Sequence, residues 1–363
     1  MSETFHRSPS DTGDVFTRIE GRVGRITLDR PKALNALNHR MVLAIEAVLR
    51  AWARDDRVAL VLIDGTGERA FCAGGDIRAV YEAAKAGDHE AGRAFWRDEY
   101  RLNRLIKHYP KPYVAIMDGI VMGGGVGVSA HGSHRVVTER TLLAMPECGI
   151  GLVPDVGGSL ILAKAPGRLG EYLGLTGHRM GPADAIFAGF ADRYVRSQDL
   201  DRLKEALVQT GDPAAIADFE DEPGLGRLAG WMADIDRFFG LASVGEIVAA
   251  LEAGEGQFAG ETVEALRKGA PLSLAATLDI IRTVRVDPTI ERALSEEFRF
   301  TYRAQELGDH QEGIRAAVID KDRAPHWPEV RPQDLAPERL AAMRAPLEAQ
   351  ELHWDELDRE ETA

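Results

Sequence analysis

The chain has 363 residues, of which 45% are hydrophobic, and its formal net charge is −14. That apolar fraction supports a sizeable core and excludes intrinsic disorder as the main state. The acidic balance argues against broad binding of nucleic acid or of an anionic membrane surface. The two cysteines, Cys72 and Cys148, and the ten scattered histidines show no ligand spacing, so we expect neither a disulfide framework nor a metal site.

The N-terminal segment MSETFHRSPSDTG (1–13) is polar and acidic, and we predict a disordered tail there. It lacks the apolar stretch of a signal peptide and the arginine-rich character of a transit peptide. No apolar run in the chain reaches the ~18 residues needed to span a bilayer. These features together predict a cytoplasmic protein.

The next segment predicts a strand hairpin followed by an amphipathic helix. Residues 15–20 and 23–28 are strand-like and are joined at Glu20 and Gly21, which is typical of a hairpin. Asn38 suits a helix N-cap. Apolar residues then follow at spacings of four, three and four, which predicts one buried helical face made of Met41, Ile45, Val48 and Trp52.

Strand-like and helix-like runs continue to alternate as far as about residue 197. The continuous apolar runs Val58 to Ile63 and Tyr113 to Met117 are typical of strands buried on both faces. Alternation of this kind predicts an α/β fold whose functional loops lie at strand ends. The remaining predicted elements are helices over 76–85, 90–107 and 158–175 and short strands at 136–137 and 142–143.

From about residue 198 the chain reads almost entirely as helices separated by Gly and Pro. We therefore predict an α/β core over 14–197 and a helical region over 198–363. From Ala336 onward, alternating charge and alanine favours a solvated surface helix or a frayed tail. The clearest predicted helices in this region cover 244–252, 261–268, 272–283 and 290–303.

Two glycine-rich loops and an acidic segment carry the chemistry. The loops are FCAGGDIR (71–78) and MGGGVG (122–127), and each lies between a strand-like and a helix-like run. Such loops leave backbone N–H groups pointing outward, and two of them can hold a carbonyl oxygen that becomes negative during a reaction. The segment MPECGIGLVPDVGG (145–158) follows with Glu147 and Asp155, and a carboxylate can move a proton, position water or attack.

Each motif also has a plain structural interpretation. The glycines could serve close packing, Glu147 could be a surface carboxylate, and Asp155 after Pro154 could begin a turn. Two other patterns fail their context tests: GTGERA (65–70) lacks the helix of a dinucleotide site, and Ser129 with His131 lacks triad geometry. The occurrence of both loops and both acids in this order favours the functional interpretation.

These segments resemble the crotonase superfamily, also called enoyl-CoA hydratase/isomerase. The resemblance implies a crotonase-like ββα spiral core and an acyl-CoA substrate. Two further segments resemble a hydrolase branch, which implies hydrolysis of a short branched 3-hydroxyacyl-CoA, with 3-hydroxyisobutyryl-CoA of valine breakdown as the best candidate. The core segments are RPKALNALN (30–38), AFCAGGDIR (70–78), KPYVAIMDGIVMGGGVGVSAHG (111–132), AMPECGIGLVPDVGG (144–158) and YLGLTGHRM (172–180), and the branch segments are SEEFRFTYRA (295–304) and EGIRAAVIDKDRAPHW (312–327).

The resemblance assigns roles to individual residues. Gly75 and Gly124 would donate the two N–H groups of an oxyanion hole for the thioester carbonyl. Glu147 matches the carboxylate that the superfamily most often uses in catalysis, and Asp155 matches an acidic position of the hydrolases. Glu99 matches a hydrolase position near the acyl group, so the predicted substrate-binding set is Glu99, Gly124, Glu147 and Asp155.

The same resemblance predicts the residues that bind CoA, which is part of the substrate, so no separate cofactor is expected. The basic residues that meet its phosphates stay open among Arg30, Lys32, Arg78 and Lys321. Relatives often form trimers or pairs of trimers, so a homo-oligomer is a further expectation. The residues predicted along CoA are Lys32, Ala33, Leu34, Ala73, Gly75, Asp76 and Ile77.

One departure from the family pattern favours hydrolysis. Hydratases carry a second glutamate two residues beyond the triple glycine, and here Gly127 stands in that place. Hydration needs two carboxylates to hold the added water, whereas hydrolysis needs one water or nucleophile and an oxyanion hole. The alternatives are an enoyl-CoA isomerase or hydratase of the same superfamily, and a non-catalytic acyl-CoA-binding protein.

Overall fold

The computed structural model describes residues 13–354, so the predicted tail lies outside the described residues except for residue 13. The chain divides into two compact units. The first contains the chain through Asp76, Arg101–Met145 and Arg179–Gly230; the second contains Ile77–Tyr100, Pro146–His178 and the chain from Trp231 onward. These units interleave along the sequence, whereas the predicted division at residue 197 is linear. The predicted domain boundaries stay a prediction.

Two parallel-rich sheets form the first unit. Six strands lie in the order β1-β2-β3-β5-β7-β9, and three shorter ones lie in the order β4-β6-β8. Only the β1–β2 pair is antiparallel among the described pairs. The strands are β1 (Val15–Glu20), β2 (Val23–Leu28), β3 (Leu60–Gly65), β4 (Ala70–Cys72), β5 (Tyr113–Met117), β6 (Ile120–Met122), β7 (His134–Val137), β8 (Leu142–Ala144) and β9 (Arg193–Tyr194).

From β3 to β9 successive strands alternate between the two sheets. Each strand of the larger sheet is followed by a strand of the smaller one, and the chain then returns to the larger sheet. This alternation confirms the predicted α/β class and gives the spiral its ββα repeat. It also puts the ends of β4 and β6, which pair in parallel, beside each other. Both glycine-rich loops begin at those ends.

The hairpin and the buried strands follow from their residue patterns. β1 and β2 pair from Val15↔Leu28 to Glu20↔Val23, which confirms the predicted hairpin. The predicted helical face is also confirmed, since all four of its apolar residues are buried. One side of the larger sheet packs against the helix at 200–210, through a cluster made of Val23, Leu60, Leu62, Val114, Ile116, Val136, Leu200, Leu203 and Leu207.

Helices dominate the second unit. The helices predicted at 244–252 and 290–303 are found with those bounds. The one predicted over 158–175 is broken in two around Pro166 and Gly167. No helix of the described residues is long and apolar enough to cross a membrane.

The helices of both units are α1 (His39–Ala53), α2 (Ile77–Lys85), α3 (His89–Lys107), α4 (Gly124–Gly127), α5 (Gly158–Lys164), α6 (Leu169–Thr176), α7 (Pro182–Phe187), α8 (Leu200–Thr210), α9 (Leu228–Phe239), α10 (Val244–Glu252), α11 (Gln257–Leu266), α12 (Pro271–Val286), α13 (Ile290–Arg303), α14 (His310–Ile314) and α15 (Pro337–Arg344).

Candidate active site

The two glycine-rich loops touch each other in the first unit. Gly74 has φ +116° and Gly123 has φ +48°, a backbone region that favours glycine. A Cβ placed on Gly74 would lie 3.4 Å from the carbonyl oxygen of Met122 and 3.9 Å from the amide nitrogen of Gly124. The first loop therefore runs within van der Waals contact of the second.

Close packing also explains the last glycine of the triplet. A Cβ on Gly125 would stand 2.2 Å from the carbonyl oxygen of Cys72, a separation that no side chain can adopt. Ser129, which was rejected as a nucleophile, donates its hydroxyl to the Gly125 carbonyl at 2.6 Å. The packing interpretation thus applies to Gly125, and the functional interpretation of Gly75 and Gly124 stays a prediction.

The backbone around Gly75 and Gly124 leaves the N–H groups of both residues outside the local hydrogen bonds described next. Leu37 forms a parallel bridge to Gly75: its N–H donates to the Gly74 carbonyl, and its carbonyl accepts from the Asp76 N–H, both at 2.8 Å. Because those bonds flank Gly75, its own N–H points away from Leu37. Gly124 begins α4, so its N–H has no acceptor within that helix.

The structure brings the predicted CoA segments together. Lys32 and Ala33 belong to the 3₁₀ turn Pro31–Ala33, and all three residues are exposed. The amide of Ala73 donates to the carbonyl of Leu34 at 3.0 Å, which ties this turn to the first glycine loop. Asp76 accepts a bond from Arg30 at 3.0 Å, and Ile77 follows it as the first residue of α2.

The predicted carboxylates all lie in the second unit. Glu147 begins the 3₁₀ turn Glu147–Ile150, Asp155 follows Pro154 in a loop, and Glu99 lies on α3. Their exposed fractions are 5%, 5% and 2%. Oε2 of Glu147 and Oε1 of Glu99 are buried and have no hydrogen-bond partner in residues 13–354.

Burial and mutual repulsion change how these acids hold protons. Burial, and next the charge of Asp155, raise the pKa of Glu99 well above its usual value. The same two causes, in the same order, raise the pKa of Glu147, with a further contribution from Glu297. Burial raises the pKa of Asp155 to about 7, although a hydrogen bond from Tyr100 opposes the rise. The group therefore retains protons near neutral pH, as carboxyls used for acid–base chemistry do.

Sequence reasoning missed several residues around the acids. Tyr100 donates its hydroxyl to Oδ2 of Asp155 at 2.9 Å. Glu297 accepts from the amides of Gly157 and Ser159 at 2.7 and 3.0 Å. Glu297 lies within the segment SEEFRFTYRA, so the resemblance marked its neighbourhood without giving it a role. Nothing local to Tyr100 in the sequence indicates its partner, which lies 55 positions away.

The geometry thus contains two reactive groups, each within its own unit. Gly75, Gly124 and the CoA segments through Asp76 belong to the first unit, and Glu99, Glu147 and Asp155 belong to the second. The first group can donate hydrogen bonds to an oxygen, and the second can transfer protons or attack. No cluster of three or more metal-ligating side chains occurs among the described residues.

The family model for enoyl-CoA hydratase/isomerase matches residues 23–343 of the chain. The chain belongs to this family. Among curated members, 3-hydroxyisobutyryl-CoA hydrolase of Gallus gallus is 42% identical over 325 residues, which is 86% of this chain and 84% of the relative. The same enzyme of Homo sapiens is 39% identical over 333 residues, covering 89% and 85%.

Solved structures of the family share the fold. An enoyl-CoA hydratase from Rhodobacter sphaeroides has a TM-score of 0.90 and 51% identity, over 94% of this chain and 99% of that one. A carnitinyl-CoA dehydratase from Mycobacterium thermoresistibile has the same TM-score and coverage with 44% identity. These matches confirm the predicted fold.

The comparison contradicts one prediction. The curated relatives are named as mitochondrial enzymes, and this finding contradicts the cytoplasmic prediction, which is therefore wrong. The physical reason is that import receptors read targeting segments, which are separate from the folded enzyme. The composition and charge of the folded part therefore do not predict the cellular location.

Proposed function

We propose that this chain hydrolyses 3-hydroxyisobutyryl-CoA to 3-hydroxyisobutyrate and free CoA. Relatives that are about 40% identical to this chain over most of its length are named as hydrolases of this thioester. The structural observation that carries the proposal is the buried carboxyl of Glu147, with an unpaired Oε2 and a raised pKa. Such a group suits the transfer of a proton near neutral pH.

The proposed reaction begins with attack on the thioester carbonyl. The N–H groups of Gly75 and Gly124 would donate to the carbonyl oxygen as it becomes negative in the tetrahedral intermediate. Losing one such donor typically raises a barrier by about 2.7–4 kcal/mol. The contact between the glycine loops supports this assignment, because it fixes both amides on rigid backbone.

Glu147 would act in one of two ways. As a general base, it takes a proton from water, whose oxygen bonds to the carbonyl carbon; the carbon–sulfur bond then breaks, and the proton passes to the thiolate. As a nucleophile, its carboxylate displaces the thiolate to give a mixed anhydride, which water then hydrolyses. Both routes yield one carboxylic acid and one thiol per thioester and water consumed.

Asp155 and Glu99 would serve the substrate rather than the leaving group. A 3-hydroxyacyl chain carries a hydroxyl that needs a hydrogen-bond partner when it is buried. Oε1 of Glu99 is buried and has no hydrogen-bond partner among the described residues. Asp155 would hold that hydroxyl or the attacking water and raise the proton affinity of Glu147 through its charge. No metal or other cofactor is needed in this scheme, and activity that survives EDTA would support that part of it.

Hydrolysis is favoured over hydration by the residues of α4. Its four residues are Gly124–Gly127, so the helix offers no second carboxylate to hold water for addition across a double bond. The similar structures described as a hydratase and a dehydratase make the distinction worth testing. We include valine breakdown as the proposed pathway and a homo-oligomer as the proposed assembly, the latter measurable by light scattering.

The deciding experiment is a panel of acyl-CoA thioesters with colorimetric detection of free thiol, because only hydrolysis releases CoA. We expect 3-hydroxyisobutyryl-CoA to be the best substrate. Glu147→Gln should lower turnover by about 10²–10⁴-fold while CoA still binds. Glu205→Gln, the same change on an exposed residue of α8, should leave turnover unchanged. Turnover of Glu147→Gln above about a tenth of wild type would remove Glu147 from the mechanism.

A single turnover in ¹⁸O-labelled water tests for the nucleophilic route. Label in the carboxylate of Glu147 would exclude a pure general-base route, because it enters there only when water attacks the mixed anhydride at the Glu147 carbonyl carbon. The general-base route places label only in the product acid. Mass spectrometry of the peptide that contains Glu147 reads the difference directly.

A further inference from the structure

The loop that carries Asp155 has an unusual backbone. Val156 has φ +55° and Gly157 has φ +75°, so two consecutive residues are left-handed immediately after the acid. Valine resists this conformation because its branched Cβ crowds the backbone. Such a turn persists only when surrounding structure over-determines it, and strain of this kind clusters at functional sites. The local bond from the Gly158 N–H to the Asp155 carbonyl, at 2.7 Å, closes the turn.

Glu297 supplies the missing constraint from α13. Its Oε2 accepts from the Gly157 amide at 2.7 Å, and its Oε1 accepts from the Ser159 amide at 3.0 Å and from the Ser159 hydroxyl. Its side chain is fully buried. Gly157 has no side chain with which to cap α5, so Glu297 caps this helix from 140 positions away.

Capping a helix with a buried carboxylate costs free energy, because the charged group loses its contact with water. A serine or asparagine at position 157 could cap α5 locally without burying a charge, if the backbone there were ordinary. A side chain caps a helix from an extended backbone, whereas Gly157 is left-handed, so the cap comes from Glu297 instead. Placing it on Glu297 couples the turn after Asp155 to a rigid helix.

The surroundings of Glu297 identify what this constraint serves. Glu297 interacts electrostatically with Asp155, Glu147 and Tyr100, which are two of the three predicted acids and the tyrosine that binds Asp155. Burial raises the pKa of Glu297 to about 8, whereas its bonds to Ser159 and Gly157 oppose that rise. All three donors point at its two oxygens, a pattern that suits a charged acceptor.

We propose that Glu297 is a positioning residue for catalysis: by holding the amides at 157 and 159, it fixes the left-handed turn that aims Asp155. The inference rests on the proposed hydrolysis for its kinetic part. It implies that Glu297 affects turnover chiefly through Asp155, because its charge is the smallest contribution to the raised pKa of Glu147. Ser159 belongs to the same device, because its hydroxyl and its amide bind the same carboxylate oxygen.

A double-mutant cycle tests the dependence on Asp155. We expect Glu297→Gln to lower kcat about 10-fold or more, with KM changed less than about two-fold, because misplacement of a reacting group costs rate rather than binding. In an Asp155→Asn background the same change should cost almost nothing further. An additive cycle, or a loss expressed only in KM, would overturn the proposal.

Hydrogen exchange over residues 153–162 provides a readout that needs no activity. Glu297→Gln should speed exchange of the backbone amides at 157 and 159. These amides bind different oxygens of Glu297, and a glutamine side chain has only one acceptor oxygen. Glu296→Gln is the matched control: Glu296 is the preceding buried acid of α13 but pairs with Arg292 and Arg299 at 3.0 and 3.1 Å. It should leave exchange in this segment and kcat unchanged.

The outcomes separate the two proposals. If Glu297→Gln speeds amide exchange but the wild-type protein hydrolyses no thioester, the structural role of Glu297 is supported and the proposed function is refuted. If the wild-type protein hydrolyses the thioester but Glu297→Gln leaves exchange unchanged, only the positioning role of Glu297 is refuted. Should Glu297→Gln fail to fold, Ser159→Ala removes one of the three bonds without touching an acid. It should speed exchange and lower kcat about two- to three-fold, and wild-type values for both would overturn the proposal.

Discussion

The hydroxyl of Tyr100 donates to Oδ2 of Asp155 at 2.9 Å, and both side chains are buried. The same hydroxyl lies 3.4 Å from Oγ1 of Thr301, so it is held between α13 and the Asp155 loop. Burial raises the pKa of Tyr100 well above its usual value, and the charges of Asp155 and Glu297 add to the rise. The raised pKa keeps the proton on the Tyr100 hydroxyl, which therefore donates to Asp155 and favours its charged form.

Removing this donor should impair turnover. In Tyr100→Phe the pKa of Asp155 rises further, because the hydrogen bond that lowered it is lost. We expect kcat to fall about 10-fold and the acidic limb of the kcat profile to move to higher pH. Tyr109→Phe is the control, since it removes a hydroxyl that donates to the Leu49 carbonyl at 2.8 Å. That variant should lose about 1 kcal/mol of stability but retain its pH profile; equal profiles for both variants would contradict the prediction.

Replacing Asp155 should stabilise the protein in a pH-dependent way. Burial raises the pKa of this carboxyl from 3.8 to about 7 on folding. Between those values the folded state holds a proton that the unfolded state releases, so wild-type stability falls as pH rises from about 4 to 7. Asp155→Asn lacks this proton linkage, and Tyr100 can still donate to its side-chain oxygen.

The free energy of unfolding should therefore be about 1–3 kcal/mol higher for Asp155→Asn than for wild type at pH 8, and the two should converge near pH 4. Denaturant titrations at several pH values measure this gap. Asp201→Asn, on a fully exposed residue of α8, should show no such trend. A gap that is constant with pH, or that widens toward acid, would mean that the folded state does not raise this pKa.

The sequence predicted local structure well where periodicity decides it. The hairpin of β1 and β2, the buried face of α1 and the bounds of α10 and α13 are confirmed. The short strands β4 and β6 were not predicted, because three residues carry no period and their pairing depends on distant chain. The surface helix predicted after residue 336 is found as α15, in which Met343 alone is buried and Arg344 binds Glu296.

The site shows the same division between local and distant information. Glycine loops and acids could be located in the sequence because their spacing is local, and the resemblance gave them roles that stay predictions. The partners of those acids could not be located, because Glu297 and Gly157 lie 140 positions apart. Burial, which sets the proton affinity of Glu147, is likewise a property of the folded chain alone.

The triple glycine should tolerate no side chain at its last position. In Gly125→Ala the new Cβ would stand 2.2 Å from the backbone oxygen of Cys72, and backbone cannot move aside cheaply. We expect a loss of about 2–3 kcal/mol in the free energy of unfolding. Gly260→Ala is the control, because its Cβ meets nothing within 4 Å and it lies inside α11. It should gain about 0.5–1 kcal/mol, so similar melting temperatures for the two variants would refute the packing argument.

His310 gives the second unit a sensitivity to acid. Its Nδ1–H donates to the carbonyl of Ile150 at 3.0 Å, at the end of the turn that begins with Glu147. Its Nε2 is buried with no partner in the described part of the chain, and its ring packs on Trp96 with centroids 6.0 Å apart. Burial lowers its pKa to about 4, which the bond to Ile150 only partly opposes.

Folding therefore excludes a proton that the unfolded chain binds below about pH 6.5. Stability that is present above pH 6.5 should be lost progressively as pH falls toward 4, by about 2–3 kcal/mol from this group. His310→Phe keeps the ring but cannot be protonated. At pH 8 it should be about 1 kcal/mol less stable than wild type, because the Ile150 carbonyl loses its donor. Near pH 4.5 the order should reverse, and unfolding curves that keep wild type ahead at both pH values would show that His310 is protonated in the folded protein.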